Sequence, residues 1–489
     1  MHGPFYNRTH ELATLERAWT TKQPKGQFLL LYGRRRLGKT YLLQHFFQTN
    51  AKPPQITEKP HAYFLADQTT ALTQRLALAE TLLAALPDDG IAATDLAVSW
   101  NALLRFVSQK CAGRSSETTE RFGLIFDEFP HLVAQTPELP SLLQAWWDRE
   151  GHQLPILLVL CGSQLSVMEA LGEASAPLYG RFTAGVLRLP PLRYDDVALF
   201  YPGYSVAEKL TLYGIFGGAP RYHALLDSSR PLADEVTELL LRPRAALENE
   251  IAFLLSSEAV RDPAHYNAVL AAVAQGETQF GRIQQLTGIE RGSLSFALSR
   301  LLELEWLRRE FPFEESSERR ALYRVGDPFL GFWYRFVQPL RSVLAFRGSA
   351  TVWSERIAPQ LAQYLDEQVF EGVCHQWLQR HAYSTLGLSL ESSGRWWSRD
   401  GQTEVDIVAR CTGGGYLLGE CKWSAGSKIG PKVYFDLLAK ESRLPESRWQ
   451  SNSRYVLFSL GGFSPELEAL AASVENRLHL VGPERLLSE

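Results

Sequence analysis

No apolar run in this 489-residue chain approaches the ~20 residues a helix needs to cross a bilayer, so the sequence gives no reason to expect a membrane partner. The opening MHGPFYNRTHEL holds no apolar segment of the kind that marks a secretory leader, and a cytoplasmic location is expected. The five cysteines, Cys111, Cys161, Cys374, Cys411 and Cys421, form no CxxC pair, which argues against both a zinc knuckle and a disulfide framework. Internal repeats and low-complexity tracts are also missing. Neither charge sign dominates: the net charge is −4, so any nucleic-acid surface must be local. What remains is an ordinary composition, 45% hydrophobic and 21% charged, over a length that calls for several cores at ~100 to 200 residues per domain.

From Gln27 to about Leu192, short apolar runs alternate with amphipathic stretches: 28–32, 63–65, 124–126, 156–160 and 186–189. This rhythm predicts buried parallel strands and a three-layer α/β domain over 1–193, punctuated by polar loops at 51–61 and 112–119. Helical spacing over 194–260, broken at Gly217-Gly218-Ala219-Pro220, predicts a small lid. Residues 261–337 run helix, short helix, Gly288 turn, longer helix and charged hairpin, the order of a winged helix-turn-helix. A connector at 338–355 leads to a last α/β domain over 356–489, opening with a helix at 358–380 and continuing through strands near 404–409, 415–420 and 454–459 and a helix near 430–441.

Gly33-Arg34-Arg35-Arg36-Leu37-Gly38-Lys39-Thr40 lies between an apolar strand and a helix, the context that a phosphate-binding loop requires. Backbone N–H groups and the helix N-terminus suit phosphates, Lys39 suits the β/γ-phosphates, and the Thr40 hydroxyl suits Mg²⁺, so ATP with Mg²⁺ is the expected cofactor. The strand 124–126 runs into Asp127 and Glu128. Asp127 is expected to hold Mg²⁺ through its water shell, and Glu128 to polarise the attacking water. Ser163, just after another strand, reads as a γ-phosphate sensor or a plain helix cap.

These elements resemble the archaeal-type ATPases of the AAA+/STAND division, which share an Asn-Arg-x-x-Glu-Leu element and an Arg-rich phosphate loop. Here the first stands as Asn7-Arg8-Thr9-His10-Glu11-Leu12, and the resemblance extends through Asp127-Glu128-Phe129, Gly162-Ser163, Tyr179-Gly180-Arg181 and Gly217-Gly218-Ala219-Pro220-Arg221, most of residues 5–225. It implies that Arg8 lies near the base, that Pro220 and Arg221 are lid contacts, and that Arg181 is a γ-phosphate or intersubunit arginine, the latter in a homo-oligomer.

Near the other end, Asp406 is followed by Glu420-Cys421-Lys422, which resembles the D-x(n)-(D/E)-x-K core of PD-(D/E)XK nucleases. Two acids on adjacent strands can share Mg²⁺ or Mn²⁺, and a lysine two residues on returns to the same face. A helical glutamate often completes such a site; Glu371 is the candidate and Glu367 the alternative, and Glu404 stands beside Val405 where a proline is common. Archaeal-type ATPases often carry such a domain at the C-terminus. Between Arg395 and Arg454, ten Lys/Arg face seven Asp/Glu with Trp396, Trp397, Trp423 and Trp449 interleaved, which suits phosphates and stacked bases, although tryptophans are more often core. In the middle module, Arg291, Ser293, Ser295 and Arg300 are the polar positions of a recognition helix and Arg308, Arg309, Arg319 and Arg320 those of its wing, for DNA contact or protein docking. The expectation is an ATPase that couples nucleotide state to DNA binding and cleavage. The alternatives are an ATP/ADP signalling switch, or a DNA-binding regulator whose nuclease-like fold does not cut.

Overall fold

Five of the short apolar runs assemble into one parallel sheet in the order β2-β3-β4-β1-β5, with β1 Gln27–Tyr32, β2 His61–Leu65, β3 Phe122–Asp127, β4 Ile156–Gly162 and β5 Gly185–Arg188. The computed structural model describes residues 5–22, 25–48, 59–112, 121–258, 262–444, 453–474 and 477–487; the expected loops at 51–58 and 113–119, and Trp449, lie outside them. The chain divides into two compact units, Met1–Pro191 and Leu192–Glu489.

In the first unit every residue of β3 and β4 is buried, which is why both read as unbroken apolar runs rather than alternating ones. Leu124 and Phe126 share a core with Leu78, Leu104 and Leu143 from the helices 71–85, 100–112 and 139–149. On the opposite face, Gly123 backs onto the ring of Phe47 in the helix Lys39–Gln48. The sheet is therefore covered on both faces, and its functional loops emerge where the parallel strands end, the place where open α/β sheets bind ligands.

The second unit begins with helices between Tyr194 and Ser257. Pro263–Ala274, Phe280–Thr287 and Arg291–Glu303 follow, and then the antiparallel pair β6 Leu307–Glu310 and β7 Leu322–Val325. Leu294, Leu298 and Leu301 are buried along Arg291–Glu303, whereas Leu302 is half-buried. The expected connector at 338–355 is helical: Gln338–Arg347 and Ser349–Val352 run on into Ala358–Leu365 through a wide turn at Trp353–Ile357. Its Leu344 and Val352 are buried, so packing holds these turns where a linker was expected.

A second sheet has the order β12-β11-β10-β9-β8, with β8 Leu390–Trp397, β9 Glu404–Cys411, β10 Tyr416–Lys422, β11 Arg454–Ser459 and β12 Leu478–Val481. Strands β8, β9 and β10 are antiparallel neighbours, while β10, β11 and β12 run parallel. Tyr434 and Leu437 of the helix Lys432–Glu441 cover one face with Leu418 and Leu457, and Trp377 of Glu371–Leu386 meets Phe458 on the other. The expected helix 358–380 thus extends to Leu386 with a wide turn at Asp366–Phe370.

Candidate functional site

The phosphate-loop residues fold as their spacing demands. Gly33 passes so close to Leu189 that a Cβ would lie 2.6 Å from its carbonyl oxygen, and Gly38 takes φ +86°, which favours glycine. Lys39, buried, donates to the carbonyls of Gly33 at 2.7 Å and Arg34 at 3.0 Å. Burial pushes its amine below the ordinary lysine value, against the pull of Cys161, Glu128 and Asp127. With phosphate present the same amine can exchange two carbonyls for phosphate oxygens.

Thr40 Oγ1 donates to Asp127 Oδ2 at 2.6 Å, and Tyr63 Oη on β2 donates to the same oxygen. The Glu128 N–H donates to Asp127 Oδ1 at 2.9 Å, so the carboxylate is fixed from both sides. Burial and Asp127 together raise the Tyr63 phenol above the usual tyrosine range, which keeps it a donor at neutral pH. A hydroxyl and a carboxylate in contact form the hard-oxygen set that Mg²⁺ favours, so Thr40 and Asp127 would hold it. Such an ion, when bound, neutralises phosphate charge.

Glu128 adopts the left-handed conformation, φ 53° and ψ 43°. Ser163 Oγ lies 2.9 and 3.1 Å from its two carboxylate oxygens, and Arg35 Nη1 is 4.0 Å away. The serine at the end of β4 therefore contacts the candidate general base, a role the sequence did not specify. Among the described residues of the first unit, the non-glycine residues with positive φ are Asn7, Arg8, Arg36 and Glu128, all in the motifs singled out above. Such strain concentrates where geometry serves function. Arg8 donates to the carbonyl of Leu37 at 3.2 Å and pairs with Glu11, which ties the N-terminal element to the phosphate loop.

Arg181 is half-buried and holds Asp148, with contacts of 2.9 to 3.3 Å. In the second unit, Pro220 opens the short helix Pro220–His223, whose exposed Arg221 precedes the buried Tyr222.

At the second sheet, Asp406 is buried and its Oδ2 accepts the Cys421 N–H at 2.9 Å, while the His375 ring nitrogen lies 3.0 Å from its carbonyl oxygen. One oxygen each from Glu371, Glu404 and Asp406 lie within 4.8 Å of one another, a set of hard donors that fits Mg²⁺ or Mn²⁺. Burial, then Glu420, then Glu371 push the Asp406 carboxyl up to about 7. The structure thus puts Glu404 in the carboxylate triad. Glu420, expected there, has its two oxygens held instead by Lys422 at 2.9 Å and Lys440 at 2.7 Å. Burial works against the Lys422 charge, but Glu420 outweighs it and the pKa rises above the ordinary lysine value.

The stacking rings are corrected in part: Trp396 and Trp423 are 4% exposed, and Trp396 belongs to the core with Val405 and Tyr434, so neither offers a face to a base. The expected wing is also largely neutralised. Arg308 pairs with Glu310, Arg309 with Glu318, and Arg320 with Glu315 and the carbonyl of Trp397, leaving Arg319 exposed. Arg291, Ser293 and Ser295 are exposed, whereas Arg300 is bound to Glu303.

A parallel sheet with this loop, Lys39 and the strand-end acids defines the class: a P-loop ATPase fold. Residues 5–226 match the family described as an ATPase domain predominantly from Archaea, so this part of the chain is an archaeal-type ATPase domain. Residues 333–433 match a family of archaeal and bacterial proteins of unknown function. A protein of Methanocaldococcus jannaschii described as uncharacterised is 28% identical over 89% of this chain and 91% of its own length. An ATP-binding protein of the same organism is 48% identical across 44 residues, 9% of this chain and 71% of its own. The Walker-type ATPase of Pyrococcus abyssi has the same fold at TM-score 0.50 and 19% identity, over 68% of this chain and 96% of that one.

Proposed function

We propose that the chain is an ATP-hydrolysing machine of the AAA+/STAND kind that couples its nucleotide state to DNA binding and metal-dependent phosphodiester cleavage. Lys39 and the loop amides bind the phosphates, and Glu128, turned by Ser163, takes the proton of the attacking water. Arg181, released from Asp148, meets a γ-phosphate in its own or a neighbouring copy. At the second site Asp406, Glu371 and Glu404 hold Mg²⁺ or Mn²⁺ beside Glu420, and Lys422 orients the nucleophile or offsets charge. A winged helix over 261–337 presents Arg291, Ser293 and Ser295 to the duplex, and residues 356–489 are a nuclease-like domain.

The observation that carries this reading is the convergence of Glu371, Glu404 and Asp406, buried or half-buried, with Lys422 on the neighbouring strand. Its test is cleavage of linear, circular and branched DNA by the full chain with Mg²⁺ or Mn²⁺. Cutting that Asp406→Ala removes is the expected result. No cutting under any condition, with ATP hydrolysis intact, moves the function to a second reading, an ATP/ADP signalling switch with a non-cleaving domain. That reading is favoured by the two lysines that already neutralise Glu420.

A further inference from the structure

Arg395 on β8 is 7% exposed, unusual for an arginine, and it faces carboxylates from three elements. Its Nε is 2.8 Å from Glu371, its Nη1 is 3.2 Å from Glu310 on β6, and its Nη2 contacts Glu404. Glu371 and Glu404 belong to the triad that converges with Asp406. A positive group of the chain itself thus sits against oxygens that a divalent ion would take.

The backbone around Arg395 is held as firmly as its side chain. The Phe313 N–H donates to the Arg395 carbonyl at 2.7 Å, and the Phe313 ring is buried in the core with Trp396 and Val405. Arg320 donates to the Trp397 carbonyl two residues on. The segment between β6 and β7 is therefore folded onto β8, and Glu310 at the end of β6 shares the guanidinium with the triad. A guanidinium does not lose its proton in a protein, so no ordinary change of pH removes this charge; only displacement does.

We propose that Arg395 is an internal counter-ion that competes with a divalent cation for Glu371, Glu404 and Asp406. The site as folded here binds such an ion weakly and gains affinity only when the guanidinium leaves. This rests on the reading of the triad as a cation site, and it adds that the site's default state is closed.

The test is Mn²⁺ binding by the nucleotide-free full chain, read from the free-ion signal in electron paramagnetic resonance, for wild type, Arg395→Gln, Arg395→Lys and Arg395→Gln/Asp406→Asn. Arg395→Gln is expected to bind at least about tenfold tighter than wild type, the change that ~1.4 kcal/mol makes. Arg395→Lys, which keeps the charge, stays near wild type, and the double variant returns to weak binding. Loss of the buried charge is expected to destabilise Arg395→Gln, so Mn²⁺ should also raise its Tm more than it raises that of wild type. Equal Mn²⁺ affinity and equal thermal shifts in wild type and Arg395→Gln overturn the proposal, as does tight binding that survives Asp406→Asn. The two readings fail differently. Tight Mn²⁺ binding by Arg395→Gln without DNA cleavage by any variant overturns only the nuclease, whereas Asp406-dependent cleavage by wild type with unchanged Mn²⁺ affinity in Arg395→Gln overturns only the counter-ion.

Discussion

Glu128 shows what one residue's conformation does. A left-handed glutamate is strained, and in this conformation the carboxylate meets Ser163 at the end of β4. Glu128→Gln is expected to keep ATP binding and to lower kcat by about 10²- to 10⁴-fold, the usual worth of a general base. Fluorescent-nucleotide binding beside phosphate release checks both halves, and undiminished release removes Glu128 from the mechanism. Lys39→Ala is expected to abolish nucleotide binding in the same assay. Ser163→Ala removes the hydroxyl from Glu128 and leaves it Arg35 at 4.0 Å, and a loss of roughly tenfold in kcat with little change in KM is expected from a hydrogen bond to a charged group. At this scale the nucleotide residues were legible because the phosphate loop is a contiguous motif and Asp127-Glu128 ends an apolar run. Tyr63 was not, because its contact with Asp127 spans 64 residues and the sequence shows it only as part of a strand. Arg395 was hidden for the same reason, and Glu404 was legible only as an alternative contributor beside Val405; their neighbours are set by strand pairing and by the hairpin, which no local pattern reports.

Among the elements, the short helix Pro220–His223 carries a pH dependence in His223. The ring is fully buried; Gly217 O can only accept, so Nε2 donates to it at 2.6 Å, and Nδ1 accepts from Tyr201 Oη, also at 2.6 Å. Burial pushes its pKa down to about 4, so between roughly pH 6.5 and 4 the unfolded chain binds a proton that the folded chain refuses. The stability from a neutral His223 is complete above about pH 6.5 and is lost as pH falls towards 4, on the order of 3 kcal/mol over that interval. Thermal melts of the wild type are expected to fall across this window, and those of His223→Gln to fall less; parallel curves contradict the assignment. Element boundaries were legible where apolar runs were long, as for β3 and β4. They were missed where packing overrode composition: the connector at 338–355 became helix around Leu344 and Val352, and β8, which begins Leu390-Glu391-Ser392-Ser393, is a strand because β9 pairs with it. Trp396 and Trp423 invited a stacking surface by composition alone and turned out to fill the interior, the commoner fate of large aromatic rings.

In the whole molecule an archaeal-type ATPase domain and a carboxylate site in the second unit share one chain, and the proposal is that ATP governs what that site does. Composition could not show this, because a net charge of −4 hides both a basic helix start at Arg291 and an acidic triad closed by an arginine. The most direct measurement is single-turnover cleavage of a DNA duplex with Mn²⁺, with and without ATP, by wild type, Lys39→Ala and Asp406→Ala. Cleavage is expected that ATP changes by at least about tenfold in the wild type, that is insensitive to ATP in Lys39→Ala, and that is absent in Asp406→Ala. Cleavage of the same rate with and without ATP, or cleavage that survives Asp406→Ala, would contradict the proposal.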